Sequence, residues 1–218
     1  MDTTQHVSRI WDVIVIGAGP AGAFVAARLA TVGLAVLLVE RKTFPRDKVC
    51  GGCVNPDALA RLDAVGVTPQ LRAAGGHVIT SLHLHSGHRC ANVPLSGGLA
   101  ISRATMDSVL VQHAVEAGCV FLPDTSAFVK ASDGHEDLRH VSLESRGGAC
   151  VETSARVVVV AAGLGQQALR DVALLRDQVQ AGARVGVGVV APAGVVEASD
   201  GVITMVVGRG GYVGVTRV

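Results

Sequence analysis

DVIVIGAGPAGAFVAARLATVGLAVLLVE, residues 12–40, is the stretch from which the fold of this chain is read. An apolar, β-branched run from Asp12 to Ile16 meets Gly17-Ala18-Gly19-Pro20-Ala21-Gly22. An Ala-rich stretch of helical character follows, and then a second apolar run, Ala35 to Val39, which ends at Glu40. Strand, glycine turn, helix and second strand fit within the length of one βαβ unit. Gly17 allows the tight turn off the strand, Gly19 lets the backbone approach a pyrophosphate, and Gly22 lets helix and strand pack closely. The free N–H groups at the helix start then face the phosphate charge. Glu40 is placed to accept hydrogen bonds from an adenosine ribose. A glycine pattern alone is weak evidence in a chain with 27 glycines. Here the strand, the helix and the acidic residue fall in place around it, so the segment reads as a dinucleotide-binding unit.

Composition agrees with this and sets limits. The 218 residues suit one large domain or two small ones. A net charge of +1, carried in short mixed runs, marks no nucleic-acid binder. The mean hydropathy of +0.44 raises the question of a membrane. The apolar stretch Val13 to Ala27 is the glycine motif itself and falls short of the ~18–20 apolar residues that a span needs. The polar opening MDTTQHVSR runs straight into the first strand and does not read as a signal peptide. A cytoplasmic protein is expected, with peripheral membrane contact as a route to a lipid. Five cysteines, an odd number scattered along the chain, point to reduced thiols rather than a disulfide scaffold.

Beyond Glu40, RKTFPRDKVCGGCV reads as an irregular polar loop. Asn55-Pro56 offers an N-cap and a first-turn proline for a helix ending at Gly66. Alternating runs around Ser86-Gly87 predict a hairpin between His77 and Val93. Ser102 to Gly118 has amphipathic helical spacing, with Met106, Val109, Leu110 and Ala114 on one side. Strands are expected at Cys119–Leu122, Ala127–Ser132 and Leu138–Ser145, with turns at Asp133-Gly134 and Arg146-Gly147-Gly148. Ala155–Ala161 reads as a strand buried on both faces. Ala183–Val190, Val202–Val207 and Gly211–Val218 read as antiparallel strands of a different sheet. The chain stops inside the last of these, which leads to the expectation of an incomplete protein.

Several segments together resemble the geranylgeranyl-reductase-like branch of the FAD-dependent oxidoreductases, relatives of the aromatic hydroxylases of the para-hydroxybenzoate hydroxylase type. GAGPAG followed by VLLVERKTFPRDKVCGG resembles the first FAD segment of that family, and it is the most specific match. Ala100-Ile101-Ser102-Arg103 with Asp107 and Leu110 resembles its "sR..fD..L" helix. Val157 to Gly163 resembles its Ala-Asp-Gly segment, with Ala162 in the place of the Asp, and GYVGV resembles the middle of its substrate sheet. The family's later Gly-Asp segment has no counterpart in these residues.

The resemblance implies an α/β fold: a Rossmann-like FAD-binding βαβ domain with an inserted antiparallel β substrate sheet, incomplete at the C-terminus. It places the FAD-binding domain at 1–76 and 99–175, and a partial substrate sheet at 77–98 and 176–218. It implies FAD contacts from Gly17, Gly19, Pro20, Ala21, Gly22, Glu40, Arg41, Lys48, Cys50, Gly51, Gly52, Arg103 and Gly163. The implied electron donor is NAD(P)H, and the implied partner is a small apolar substrate. NAD alone stays open as the ligand of the glycine motif.

Other residues carry weaker signals. Cys50-Gly-Gly-Cys53 has the spacing of a redox pair, but no helix begins directly after Cys50. The plainer reading is a glycine loop packed beside the flavin, whose cysteines act as small side chains. His83, His85 and His88 fit a solvent-facing hairpin as well as a metal cluster, and no metal site is expected. Arg103 heads a helix, where a guanidinium can bind phosphate or flavin oxygens through paired hydrogen bonds. No catalytic acid or base can be named. Three functions are expected to compete: hydride transfer from FAD to an apolar, isoprenoid-like substrate, FAD/NAD(P)H-dependent hydroxylation of an aromatic ring, and an inactive FAD-binding fragment.

Overall fold

The computed structural model describes residues 9–131, 137–164, 166–172, 182–183 and 185–218. The chain divides into two compact units, Met1–Arg46 with Leu110–Ala183, and Asp47–Val109 with Arg184–Val218. The cuts therefore fall after Arg46, Val109 and Ala183, whereas the sequence reading placed them at 76, 98 and 175. Residues 47–76 and 99–109, expected in the cofactor domain, group with the second unit.

In chain order the first elements are β1 (Ile10–Ile16), α1 (Pro20–Thr31) and β2 (Val36–Val39). Next come β3 (Cys53–Val54), α2 (Pro56–Asp63), α3 (Thr68–Ala73), β4 (His77–Val78), β5 (Ser81–Ser86), β6 (Arg89–Pro94) and β7 (Leu99–Ala100). Helix α4 (Arg103–Glu116) leads into β8 (Val120–Leu122), β9 (Thr125–Val129), β10 (Arg139–Ser145) and β11 (Cys150–Val160). A short 3-10 turn at Gln166–Leu169 precedes β12 (Val202–Val207) and β13 (Tyr212–Val215).

The first unit is built on a six-stranded sheet in the order β8-β2-β1-β11-β10-β9. The pairs β8–β2, β2–β1 and β1–β11 are parallel, and β10 and β9 continue antiparallel. β1 and β2 are apolar because both of their faces are covered. Helix α1 packs against them with its Gly22, Ala23, Ala26, Ala27 and Ala30 side buried. On the other face Trp11, Ile14, Ile16, Leu37 and Val39 join Val141, Leu143 and Ala155 in one core cluster. Small alanines on the helix let it lie close to the sheet.

β11 is longer than the expected Ala155–Ala161 strand, and it is not buried throughout. Ala155 is fully buried, but Val157 is 52% exposed. α1 covers β1 and β2, and Val157 lies outside that cover. The expected turn at Asp133-Gly134 and the end of the strand at Ser132 lie outside the described residues.

The second unit holds a four-stranded sheet, β13-β12-β5-β6, and a three-stranded one, β3-β7-β4. The hairpin expected around Ser86-Gly87 is β5–β6, with Gly87 in the left-handed region at φ +58°. Asn55 caps α2 as its sequence predicts, its side chain accepting from the Ala58 N–H at 2.8 Å with Pro56 in the first turn. The sheet is antiparallel apart from one pair, because β12 runs parallel to β5. Residues 185–190, expected as a strand, have no regular structure. Gly186 and Gly188 alternate with valines there, and Val185, Val187 and Val189 are almost fully exposed, so this segment lacks the packed face that holds a strand. Helix α3 carries no signal that the sequence reading used.

Candidate functional site

The site of the first unit lies at the carboxyl ends of β1, β2 and β11. The chain leaves β1 toward α1 and β2 on one side, while β11 lies on the other, so the strand order reverses here. Open α/β sheets bind their ligands at such a point. Three backbone contacts hold it together. Gly17 N–H donates to Val39 O at 2.8 Å, Ala161 N–H donates to Ile16 O at 2.8 Å, and Ala23 N–H donates to Gly19 O at 2.9 Å as α1 begins.

Two of the glycines are required sterically. Gly17 sits at φ +104°, and a Cβ there would come within 2.6 Å of Ala161 O. A Cβ on Gly22 would run into Gly17 O. Gly19 is the N-cap of α1 and supplies no side-chain cap, while Pro20 at the helix start has no N–H to offer. The first turn thus presents backbone N–H groups that no capping side chain covers, in the setting suited to a phosphate.

Glu40 is 7% exposed and held at every point. Its Oε2 accepts from Ala18 N–H at 3.0 Å and its Oε1 from Lys42 N–H at 3.1 Å. Arg46 Nη2 stands 3.4 Å from the same Oε2. The Arg46 guanidinium lies 5.2 Å over the Phe44 ring, which meets Phe121 edge-on at 5.6 Å. Ala18 lies inside the glycine turn, so this carboxylate fixes the turn as well as closing β2.

A cleft of about 60 Å³ opens beside Gly17 and Glu40, lined also by Arg41, Ala162, Gln167, Ala168 and the Thr125–Phe128 stretch of β9. β9 reaches it because Thr125 N–H donates to Glu40 O at 3.0 Å. Behind the cleft the Arg170 guanidinium lies 3.6 Å over the Phe128 ring and reaches Glu144 Oε1 at 3.2 Å, which fixes the ring's position. Ala162 is half-buried in this wall, and Gly163 follows it in the left-handed region at φ +74°.

Other expected site residues fall in the second unit. Lys48, Cys50 and Gly51 are exposed. Gly52 sits at φ +67°, and its carbonyl accepts from Ile101 N–H at 2.8 Å. Arg103 grips Asp107 with two hydrogen bonds, Nε to Oδ1 at 2.9 Å and Nη2 to Oδ2 at 2.8 Å, and Asp107 is fully buried. The hydrogen bond to Asp107 raises the Arg103 pKa, burial opposes it, and a further hydrogen bond to the Cys50 sulfur adds to the rise. His83 and His85 lie on β5 opposite Asn92 and Cys90. Among the described residues no group of three or more His, Cys, Asp or Glu is arranged to hold a metal ion.

The structure thus gathers Gly17, Gly19, Pro20, Ala21, Gly22, Glu40, Arg41 and Gly163 in one unit, and Lys48, Cys50, Gly51, Gly52 and Arg103 in the other. Sequence reasoning missed Arg46, the Thr125–Phe128 wall, Gln167 and Ala168. Arg46 belongs to a charged loop with no spacing signal, and the wall depends on a hydrogen bond between residues far apart in the chain. The bare glycine turn, the uncapped helix start and the fixed acidic residue fit the diphosphate and ribose of a dinucleotide such as FAD.

Comparison with known proteins agrees with this geometry. A family profile described as "FAD binding domain" matches residues 11–195, and the chain belongs to that family. The menaquinone reductase of Mycobacterium tuberculosis is 33% identical over 156 residues, covering 70% of this chain and 37% of the relative. Digeranylgeranylglycerophospholipid reductase 2 of Methanopyrus kandleri is 32% identical over 156 residues, covering 71% of this chain and 38% of the relative. A crystal structure of a flavoprotein/dehydrogenase from Cytophaga hutchinsonii superposes with a TM-score of 0.73 at 23% identity, covering 91% of this chain and 50% of that one. The chain therefore spans well under half the length of these two curated relatives. Among the described residues no helix is long and apolar enough to cross a membrane.

Proposed function

We propose that this member of the FAD-binding family serves an FAD-dependent oxidoreductase that delivers hydride to an apolar, isoprenoid-type substrate. The observation that carries the reading is the strand reversal itself, where the Gly17 turn leads into the uncapped start of α1 and the Glu40 carboxylate is fixed on the turn's Ala18 N–H. Two relatives are named as reductases of menaquinone and of a digeranylgeranylglycerophospholipid, and these names supply the substrate class. NAD(P)H is the proposed electron donor. Bound FAD supplies the two-electron chemistry, and the protein supplies binding, orientation and local electrostatics.

Each residue has a part in that binding. Gly17 and Gly22 keep the backbone bare where the pyrophosphate approaches, and the N–H groups of Ala21 and Gly22 face its charge. Glu40 holds the turn through Ala18 and keeps unshared electron pairs for the ribose hydroxyls. Arg41, at the mouth of the cleft, adds positive charge beside the phosphates. In the second unit, Lys48, Cys50, Gly51, Gly52 and Arg103 are proposed to meet the flavin end of the cofactor.

The test is FAD titration followed by flavin fluorescence, comparing the native chain with Gly19→Val. The reading expects the variant to bind at least roughly tenfold more weakly, a loss of about 1.4 kcal/mol. Equal binding overturns the cofactor assignment. Oxidation of NAD(P)H that depends on an isoprenoid quinone or lipid supports the substrate class. Oxygen consumption that depends on an aromatic acid overturns it in favour of ring hydroxylation.

A further inference from the structure

The loop ahead of α2 carries two thiols that the cofactor reading leaves without a chemical task. Cys50 and Cys53 are both free thiols and both exposed. Gly51 and Gly52 separate them, and Gly52 in the left-handed region turns the chain between the two sulfurs.

The two ends of the motif are held differently. Cys53 is anchored, because β3 pairs it with Ala100 and the neighbouring Gly52 O accepts from Ile101 N–H at 2.8 Å. Its side chain folds back along the loop, with Sγ donating to Gly51 O at 3.2 Å. Cys50 lies in irregular backbone, near enough to the Arg103 guanidinium for its sulfur to contribute to that cation's raised pKa. That guanidinium is itself locked on buried Asp107. Desolvation by neighbouring protein, and then the charge of Cys50, push the Cys53 thiol up, which also places the two sulfurs within electrostatic reach of each other. The geometry gives one exposed thiol in irregular backbone and a second, anchored thiol three residues further on.

We propose that Cys50 and Cys53 form a reversible dithiol–disulfide pair, in which Cys50 attacks a low-molecular-weight disulfide and Cys53 resolves the adduct. In the first exchange Cys50 loses its proton to water, and its sulfur bonds to one sulfur of the incoming RSSR. The S–S bond of RSSR breaks, and the departing RS⁻ takes up a proton. In the second exchange Cys53 loses its proton, and its sulfur attacks the Cys50 sulfur. The Cys50–Cys53 bond closes and the second RS⁻ leaves as RSH. The two loop thiols are oxidised by two electrons, and one RSSR is reduced to two RSH. The glycines between the cysteines add no Cβ to hinder the approach of the sulfurs.

The test uses the full chain with glutathione disulfide as the probe, followed by alkylation, digestion and mass spectrometry. It reads bond formation directly and does not depend on the cofactor assignment. In the native chain the peptide holding both cysteines should lose two hydrogens, carry no glutathione and regain its alkylation sites after dithiothreitol. In Cys53→Ser the adduct on Cys50 has no resolving thiol, so it should accumulate to roughly tenfold its level in the native chain. In Cys50→Ser no link forms, and Cys53 should take up glutathione more slowly than Cys50 does in Cys53→Ser. Exposed Cys90 and Cys150 report the reactivity of ordinary surface thiols in the same digest. The proposal is overturned if the native chain carries glutathione on both loop cysteines without an internal link. It is also overturned if Cys50 in Cys53→Ser reacts no faster than Cys90.

Discussion

The strand VLLV of β2 and the strand VITMVV of β12 are both apolar runs, and they meet opposite fates. Every residue of β2 is buried, whereas β12 is half-buried and ends with Val206 at 52% and Val207 at 41% exposure. β2 has paired neighbours on both edges, α1 over one face and the Trp11–Ile14 cluster against the other. β12 also has neighbours on both edges, yet β6 beside β5 is exposed along its whole length and β13 along most of it. Hydrophobicity of a strand thus reports its capacity for burial, and the covering layer decides how much of it is used. In the second unit fully buried side chains lie elsewhere, among them Val67, Leu71, Leu99 and Ile101 and the Asp107 carboxylate.

This contrast can be broken or sharpened by experiment. The largest effect is expected at the ion pair. Arg103→Gln leaves Asp107 buried without its cation and should cost about 4 kcal/mol in urea denaturation. Arg103→Gln combined with Asp107→Asn removes both charges and should recover most of that loss. A single variant that unfolds at the native midpoint would mean that the pair is dispensable.

Next come the two strands themselves. Leu37→Ala opens a cavity at a fully buried position and should cost about 3 kcal/mol. Val206→Ala, on the half-exposed strand, should cost about 0.5 kcal/mol in the same measurement. Equal losses would erase the distinction between them.

An effect smaller than that of Leu37→Ala is expected at Glu40. Glu40→Gln keeps the shape but loses the charge that accepts from Ala18 and Lys42 and faces Arg46, and it should cost about 2 kcal/mol. FAD titration of the same variant should show weaker binding.

The smallest effect concerns Cys119. Burial pushes its thiol up to about 12, against a weaker opposing hydrogen bond from the Leu38 backbone. Because the folded value is raised, the contribution of this thiol is complete below the ordinary thiol range. It is lost as pH rises through that range toward about 12. Cys119 should therefore resist alkylation at pH 8 while Cys90 reacts, and Cys119→Ala should flatten the fall in stability at alkaline pH. Alkylation of Cys119 at the rate of Cys90 would contradict the burial.

What the sequence made legible is what neighbouring residues dictate. The glycine turn, β1, α1, β2 and Glu40 form a local unit, and the Asn55-Pro56 cap needs only the residues that follow it. The parallel pairing of β5 with β12 escaped because the two strands are far apart in sequence, and nothing in either specifies the direction of its neighbour. Residues 185–190 misled because Val-Gly alternation mimics the strand period without giving one face a side chain to pack. At the site, Glu40 was readable from its place after an apolar run. Thr125–Phe128 and Arg46 were not, since they reach Glu40 through tertiary contacts.

The many bonds on Glu40 have a mechanical consequence. Its N–H donates to Leu122 O, its carbonyl accepts from Thr125, and its carboxylate is clamped by Ala18 and Lys42, so the residue is stationary before any ligand arrives. A ribose that meets it finds an acceptor whose rotamer freedom is already gone, and little further ordering accompanies recognition. The same clamps tie the glycine turn to the start of β9. Ligand bound at the carboxylate should therefore stiffen both, and slower hydrogen exchange at the Ala18 and Thr125 amides is the signature of that shared rigidity.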